Sequence, residues 1–313
     1  MEQAGLKEDK MKRLTGVVTP IITPLTEKDK IDGVSLENLC GHLIEKGITC
    51  LYPNGTTGEM MYLTTEERKQ IAEITVKAAN GKVPVFIHVG GWNQEQTIQL
   101  ARHAADIGAD GIGVVTPAFF KLSDEALLEF YKAVCASVPR DFSVYLYSIP
   151  QCAVNDITPE LAARVADACP NVVGIKYSYP DMTRLQQMMT IGAGDFSVLC
   201  GPDELFEVTV CAGGDGTVSG NSQCIPEHYA ALWKALQNKD YALATKLQRR
   251  TNTLNDVLCA FNNIAHYKAV LKEEGIIACR TMRRPMEELT EEQTKAVMEK
   301  LKAMDYHNVE GAL

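Results

Sequence analysis

Eight short apolar runs, each followed by a helical stretch, constrain the fold of this 313-residue chain more than any other feature. The runs begin near residues 16, 48, 83, 111, 143, 172, 197 and 216. Three of the helical stretches end at a glycine, namely Gly47, Gly108 and Gly213. Glycine readily adopts the left-handed conformation that ends many helices. Repeated units of this kind predict an α/β protein built as a closed (β/α)₈ TIM barrel.

A doubly wound open sheet is the competing arrangement, and it usually carries the pattern G-x-G-x-x-G after its first strand. Here the first run reads GVVTPIITPL, which does not fit that pattern. After about residue 236 the strand signals stop and only helical patterns follow. We therefore predict an N-terminal extension over residues 1–13, the barrel over 14–236, and a C-terminal helical appendage over 237–313 that packs on the barrel.

Three helix starts carry recognisable capping signals. Two are capping boxes, in which a threonine and a glutamate or glutamine side chain satisfy each other's free backbone amides. The third places a threonine before a proline at the first helical position. The pairs are Thr64 with Glu67, Thr290 with Gln293, and Thr158 with Pro159. Each signal predicts a helix that begins directly after its threonine.

The composition argues against several classes of protein. The ten cysteines contain no C-x-x-C pair, and most lie inside apolar runs such as SVLCG, which is typical of buried free thiols in a reducing compartment and not of a zinc site. The formal net charge of −9 argues against a nonspecific nucleic-acid partner. No apolar run approaches the roughly 20 residues that span a bilayer, and no secretory signal is visible. We therefore expect a cytoplasmic protein without a metal, a nucleic-acid partner or a membrane anchor.

In a barrel of this type, functional residues gather at the carboxyl ends of the strands. Lys176 ends the sixth run, VVGIK. Burial at such a position would disfavour the ammonium form, and a neutral amine there could attack a carbonyl carbon. On position alone, the alternative is a rim lysine that reaches solvent or pairs with a carboxylate.

Other strand ends carry weaker signals. Tyr147, on the neighbouring fifth run, has a phenol that can transfer protons if it has a relay partner, although a tyrosine at a core edge is the commoner case. The turn at 55–58, GTTG, offers backbone amides and two hydroxyls to a carboxylate. Asp203 and Glu204 begin the helix after the seventh run, where acidic residues complement the helix dipole without any further role.

Four motifs occur together in one order, and the combination is specific although each motif alone is not. They are G-T-T-G-E at 55–59, Y-x-x-P at 147–150, G-I-K at 174–176 and G-x-D-E at 201–204. Together they resemble the dihydrodipicolinate synthase/N-acetylneuraminate lyase family of class I pyruvate aldolases, from about Leu14 to the C-terminal helices. The resemblance implies a lyase that needs no cofactor and that is usually a homotetramer, arranged as a dimer of dimers.

The resemblance also implies a role for each matching residue. Lys176 would form a covalent imine with pyruvate or another 2-keto acid, and Tyr147 would relay protons, linked to that relay by Thr57. The positions around the keto acid and its carboxylate would be Gly55, Thr56, Thr57 and Val218. The imine acts as an electron sink, so a neighbouring carbon–carbon bond can break through an enamine without a metal.

Two positions depart from the synthase branch of this family. Cys152 stands where that branch has an arginine for the carboxylate of the aldehyde substrate, and cysteine cannot make a bidentate contact. The loop after the fourth run reads Ala118-Phe119-Phe120, without the tyrosine that crosses to a neighbouring subunit and completes the relay. Both departures argue against the synthase reaction.

Further matches favour the sialate-lyase or sugar-acid branch. Asp203 and Glu204 fit the acidic pair that binds substrate hydroxyls there, Gly201 belongs to the same motif, and Ser178 fits a hydroxyl position. We therefore hypothesise a Schiff-base lyase, either an aldolase or a dehydratase, that acts on 2-keto-3-deoxy sugar acids or sialic-acid-like substrates. Two alternatives stay open: a dihydrodipicolinate synthase that condenses pyruvate with aspartate semialdehyde, and a non-catalytic sensor of a keto acid.

Overall fold

The structure, a computed structural model, describes residues 11–259 and 263–310. Its strands are β1 (Gly16–Thr19), β2 (Cys50–Leu51), β3 (Phe86–His88), β4 (Gly111–Val115), β5 (Ser143–Ser148), β6 (Val172–Tyr177), β7 (Ser197–Cys200) and β8 (Gly216–Val218). They form one parallel sheet in the order β2-β1-β8-β7-β6-β5-β4-β3. A parallel bridge between Leu51 and Val85 closes it into a barrel, so the predicted (β/α)₈ fold is confirmed.

Helices cover the outside of the barrel and continue beyond the last strand. They are α1 (Gly33–Glu45), α2 (Thr65–Ala79), α3 (Gln94–Asp106), α4 (Asp124–Cys135), α5 (Pro150–Ala153), α6 (Pro159–Ala168), α7 (Met182–Met188), α8 (Phe206–Cys211), α9 (Pro226–Gln237), α10 (Tyr241–Leu258), α11 (Asn263–Glu273) and α12 (Glu291–Ala303). Helices α10 to α12 belong to the segment predicted as the C-terminal appendage.

The predicted helix signals are confirmed. Thr64 and Thr290 form complete capping boxes, and Thr158 caps α6 with Pro159 in its first turn. The three helix-ending glycines have φ angles of 88° (Gly47), 76° (Gly108) and 104° (Gly213). These capping threonines and helix-ending glycines determine where the helices begin and end.

Apolar side chains form two layers. The inner layer fills the barrel and includes Tyr52, Phe86, Tyr145, Leu199 and Val218. The outer and larger layer packs the strands against the surrounding helices. Across residues 11–259 and 263–310, no helix combines the length and the apolar character needed to cross a bilayer.

The cysteines only partly follow the prediction. All ten are described and all are free thiols, of which six are buried. The four that are not buried are Cys152, Cys211, Cys259 and Cys279. The expectation of buried thiols is therefore wrong for these four, because they lie at helix ends and in loops and not inside the layers.

The register of β5 and β6 positions the site. Tyr147 lies opposite Lys176, and Ser148 lies opposite Tyr177. Because successive side chains of a strand point to opposite faces, Tyr147 and Lys176 share the inner face of the barrel. Ser148 and Tyr177 share the outer face, directly behind them.

Candidate active site

Lys176 is the penultimate residue of β6, inside the barrel mouth, with 7% of its surface exposed. Its Nζ atom is 4.0 Å from the centroid of the Tyr147 ring and 5.4 Å from that of Tyr52. It forms no ion pair with any residue that the structure describes. The amine is therefore enclosed by aromatic rings and has no carboxylate partner there, which is an environment typical of a nucleophilic lysine.

The Tyr147 hydroxyl has a threonine neighbour. Its oxygen is 3.4 Å from Oγ1 of Thr56. The Thr57 side chain makes no hydrogen bond within residues 11–259 and 263–310 and is half-buried. The contact that the family resemblance assigned to Thr57 is thus made by Thr56.

The turn that carries these threonines is compact. The Gly58 amide donates to the Gly55 carbonyl at 3.0 Å, and the Glu59 amide donates to the Thr56 carbonyl at 3.0 Å. Asn54 and Glu59, on either side, have left-handed φ angles of 64° and 61°. Asparagine tolerates this conformation, whereas glutamate adopts it only where the surrounding structure holds it.

His88 lies beside the reactive pair, inside the barrel. Its ring meets the Tyr147 ring edge-on, with the centroids 5.7 Å apart, and its Nδ1 atom is 3.0 Å from the Asn54 carbonyl oxygen. The buried Arg68 guanidinium donates to the His88 carbonyl oxygen at 2.8 Å. Burial, with the positive charges of Arg68 and Lys176, holds the pKa of His88 well below its usual range, so the imidazole is neutral at pH 7.

The predicted acidic pair divides between two environments. The Asn221 side chain donates to one Asp203 oxygen at 2.5 Å, and the other oxygen is buried. Burial raises the pKa of Asp203 to about 6, although hydrogen bonds from Ser219, Asn221 and Tyr229 oppose the rise. Asp203 thus faces the protein, whereas Glu204 is exposed.

Gly201, Ser178 and Val218 lie around the ends of β6, β7 and β8. A Cβ atom on Gly201 would lie 2.0 Å from the Ser178 hydroxyl oxygen, so a side chain at this position would displace Ser178. The Gly201 amide donates to the Tyr177 carbonyl at 2.8 Å. Val218 is buried in the inner layer, whereas Ser178 is half-buried.

A cavity of about 300 Å³ opens at the barrel mouth, and Thr56 belongs to its wall. The lining residues are Thr56, Glu59, Met60, Met61, Tyr62, Val115, Ala118, Ile149, Cys152, Ala153, Ile264 and Met286. Val115 and Ala153 also pack against Tyr147, which places the cavity next to the predicted site. The wall is mostly apolar, and its described residues include no lysine or arginine.

A polar cluster braces β5 and β6 from outside. The Ser148 hydroxyl donates to Asp156 at 2.7 Å. Arg184 pairs with the other Asp156 oxygen and donates to the Tyr177 hydroxyl at 3.2 Å. Because Ser148 and Tyr177 each follow a predicted catalytic residue in the chain, this cluster fixes the strands behind the site.

The sequence analysis missed several residues of this environment. The motif that contains Glu59 indicates no role for it, and no sequence pattern distinguishes His88 or Asp156. Lys268 carried a usable signal, since it is a charged residue between apolar neighbours in the helical pattern YKAVL. Its partner in the structure is Glu59, which could not be identified from the sequence because it lies in a distant part of the chain.

Comparisons with known proteins agree with the geometry. Residues 13–304 match the profile of the dihydrodipicolinate synthetase family. A 4-hydroxy-tetrahydrodipicolinate synthase from Rhizobium meliloti is 35% identical over 83% of this chain and 88% of its own. An N-acetylneuraminate lyase from Mediterraneibacter gnavus is 28% identical over 96% of this chain and 95% of its own.

A third relative has a known structure. YagE of Escherichia coli strain K12, provisionally named a 2-dehydro-3-deoxy-D-gluconate aldolase, is 32% identical over 92% of this chain and 97% of its own. The crystal structure of YagE in complex with pyruvate superimposes with a TM-score of 0.88 at 30% identity. The match covers 93% of this chain and 99% of that one.

Proposed function

Because this chain belongs to the dihydrodipicolinate synthetase family, we propose that it forms an imine between Lys176 and a 2-keto acid such as pyruvate. Its relatives are lyases and aldolases, and it is an enzyme of the class I aldolase type. The observation that carries the proposal is the enclosed Lys176 amine, 4.0 Å from the centroid of the Tyr147 ring. The covalent imine takes the place of a cofactor.

The proposed reaction uses two side chains. The Lys176 amine attacks the C2 carbonyl carbon, and water leaves as the imine forms, with Tyr147 supplying the proton to the departing oxygen. In the cleavage direction Tyr147 accepts the proton of the C4 hydroxyl, and the C3–C4 bond breaks so that the C4 fragment leaves as an aldehyde. The electron pair of the broken bond moves into the imine and forms an enamine. Protonation at C3 and hydrolysis then release pyruvate and restore the amine.

As substrates we propose 2-keto-3-deoxy sugar acids or sialic-acid-like compounds. In this proposal the turn at 55–58 offers amides and hydroxyls to the keto-acid carboxylate. Ser178 and Glu204, which match hydroxyl-binding positions of the sugar-acid branch, bind hydroxyl groups of the tail. The cavity wall contains Cys152 and, among the described residues, no basic side chain. It therefore offers no counter-charge to a second carboxylate.

Borohydride reduction with pyruvate tests the imine. We expect a stable adduct on the peptide that contains Lys176, detected by mass spectrometry, because reduction converts the imine to a secondary amine. Lys176→Met should give no adduct under the same conditions. The absence of an adduct on the wild-type protein would contradict the proposal. If the adduct forms, pyruvate release from a panel of 2-keto-3-deoxy acids identifies the substrate.

A 4-hydroxy-tetrahydrodipicolinate synthase is the second candidate. It is favoured by the Rhizobium meliloti relative, which has this activity in its name and is 35% identical. An assay with pyruvate and aspartate semialdehyde separates the two candidates. Turnover more efficient than with any sugar acid would favour the synthase and would mean that Cys152 does not exclude its substrate.

We further propose a homotetramer that acts in the cytoplasm. Phe119 and Phe120 stack edge-to-face, with their ring centroids 5.1 Å apart, and are 74% and 71% exposed. A neighbouring apolar pair of this kind is commonly covered by a partner chain. Light scattering should give the mass of four chains, and a monomer at micromolar concentration would contradict this arrangement.

A further inference from the structure

We propose that the C-terminal region positions the keto-acid-binding turn through a buried ion pair between Lys268 of α11 and Glu59. Lys268 is then a positioning residue for pyruvate binding, since it acts through Glu59. The proposal rests on the proposed function, because it takes the turn at 55–58 as the carboxylate site.

The two charges are completely enclosed. Both side chains are 0% exposed, and Lys268 Nζ is 2.5 Å from Oε1 of Glu59. The same Nζ donates to the Thr281 carbonyl oxygen at 2.6 Å. Burial lowers the pKa of Lys268, and Glu59 opposes this by stabilising the ammonium. A pair held this way tolerates one geometry, because a displaced charge would be left without a partner in the interior.

Glu59 transmits this constraint to the turn. Its amide donates to the Thr56 carbonyl at 3.0 Å, and its left-handed φ of 61° is a conformation that glutamate does not keep without support. Its second carboxylate oxygen accepts from the Arg283 amide at 2.7 Å. A shift of the Glu59 side chain therefore moves the backbone that presents Thr56.

Arg283 makes a second link between the same two regions. Its guanidinium donates to Glu67 at 2.8 Å and pairs with Asp29 at 3.1 Å. Glu67 belongs to the capping box at the start of α2, so the C-terminal region holds both ends of the segment that follows β2. Ile264 and Met286 come from that region too, and they complete the cavity wall.

The test measures pyruvate binding and the saturated rate separately. In Lys268→Met, the pyruvate concentration for half-maximal borohydride trapping should rise about tenfold or more, while the trapping rate at saturating pyruvate changes by less than about threefold. A residue that only stabilises the fold would not produce this split in a chain that is still folded. Lys272→Met is the matched control, because Lys272 lies one turn further along α11 and is 37% exposed.

Two further variants keep the test decisive if Lys268→Met fails to fold. The double variant Glu59→Gln with Lys268→Met removes both charges, so no unpaired charge is buried. Glu59→Asp keeps both charges but shortens the side chain that carries the carboxylate. We expect weaker pyruvate binding in both. A folded variant at either position that binds pyruvate as tightly as the wild type would overturn this proposal without affecting the proposed imine. A wild-type protein that traps no pyruvate would instead overturn the proposed function.

Discussion

Two ion pairs support the candidate site, and they differ in how deeply they are buried. The Glu59 and Lys268 side chains are both 0% exposed, whereas those of Asp156 and Arg184 are 25% and 27% exposed. Water can replace a lost partner in the second pair but not in the first. Two contacts of the same chemistry, each adjacent to the candidate site, should therefore respond differently to the loss of one charge.

The two carboxylates also differ in their other bonds. Asp156 accepts from the Ser148 hydroxyl and from the Ile157 amide as well as from Arg184. Glu59 accepts a hydrogen bond from the Arg283 amide and forms an ion pair with Lys268. The pair of Glu59 and Lys268 is therefore sensitive to the loss of a charge. The position of Asp156 depends more on neutral hydrogen bonds, which remain when Arg184 is removed.

Removal of each cation gives the largest expected contrast. Lys268→Met should lower the free energy of unfolding by about 3–5 kcal/mol, because it leaves a buried carboxylate without its partner, whereas Arg184→Met should cost about 0–1 kcal/mol. Urea denaturation of both variants measures the difference. Addition of Glu59→Gln to Lys268→Met should recover more than half of the loss. Equal losses in Lys268→Met and Arg184→Met would show that burial does not determine the cost of losing one charge.

Asp203 has a buried carboxylate oxygen and no ion pair among the described residues, so it shows how burial acts on a carboxylate that has no cation beside it. Its pKa lies at about 6 instead of 3.8, so the native state binds the proton more tightly than the unfolded state does. The free energy of unfolding should therefore fall as the pH rises from about 4 to 6, by about 2–3 kcal/mol at most. Asp203→Asn should lack this decline in thermal unfolding measured across that range, and an unchanged pH profile would count against the assignment.

The pair of Asp156 and Arg184, which is about one quarter exposed, is better tested through its carboxylate. Asp156→Ala removes the acceptor of Ser148 and the partner of Arg184, and we expect a loss of about 1–2 kcal/mol in unfolding free energy. Because Ser148 directly follows Tyr147, kcat should fall more than the KM for pyruvate rises. This is the opposite of the pattern expected for Lys268, and steady-state kinetics of the two variants would show whether the two supports act on different steps.

Salt gives the smallest expected effect. Raising sodium chloride from 0.1 to 1 M shortens the screening length from about 10 to 3 Å. The coupling energy between Asp156 and Arg184, from a double-mutant cycle, should then fall by less than about 1 kcal/mol. The coupling energy between Glu59 and Lys268 should stay constant, since neither side chain reaches solvent. A salt-sensitive buried pair would show that water enters this region.

The fold could be predicted because its signals are local. Capping residues such as Thr64 and helix-ending glycines such as Gly108 depend on a few neighbouring residues, and the eight strands repeat one pattern. The position of Lys176 at a strand end followed from the same repeat. Local patterns of this kind need no knowledge of which segments meet.

The details of the site could not be predicted because they depend on which segments meet. Whether Thr56 or Thr57 reaches Tyr147 is decided by the exact path of the turn, and the two residues are identical in type. The inward orientation of Asp203 depends on Asn221, which lies beyond the next strand. The partner of Glu59 comes from α11, and no spacing in the sequence indicates that pairing.

If Glu59 positions the turn as we propose, its distance in sequence from its partners determines when the enzyme becomes active during synthesis. Arg283 lies 224 residues beyond Glu59, and contacts between such distant segments form only after long loops have closed. A ribosome-bound chain that has released all eight strands but not yet α11 would carry Lys176 and Tyr147 without a finished carboxylate pocket. Translation of the last helices would then be the step that turns on pyruvate binding.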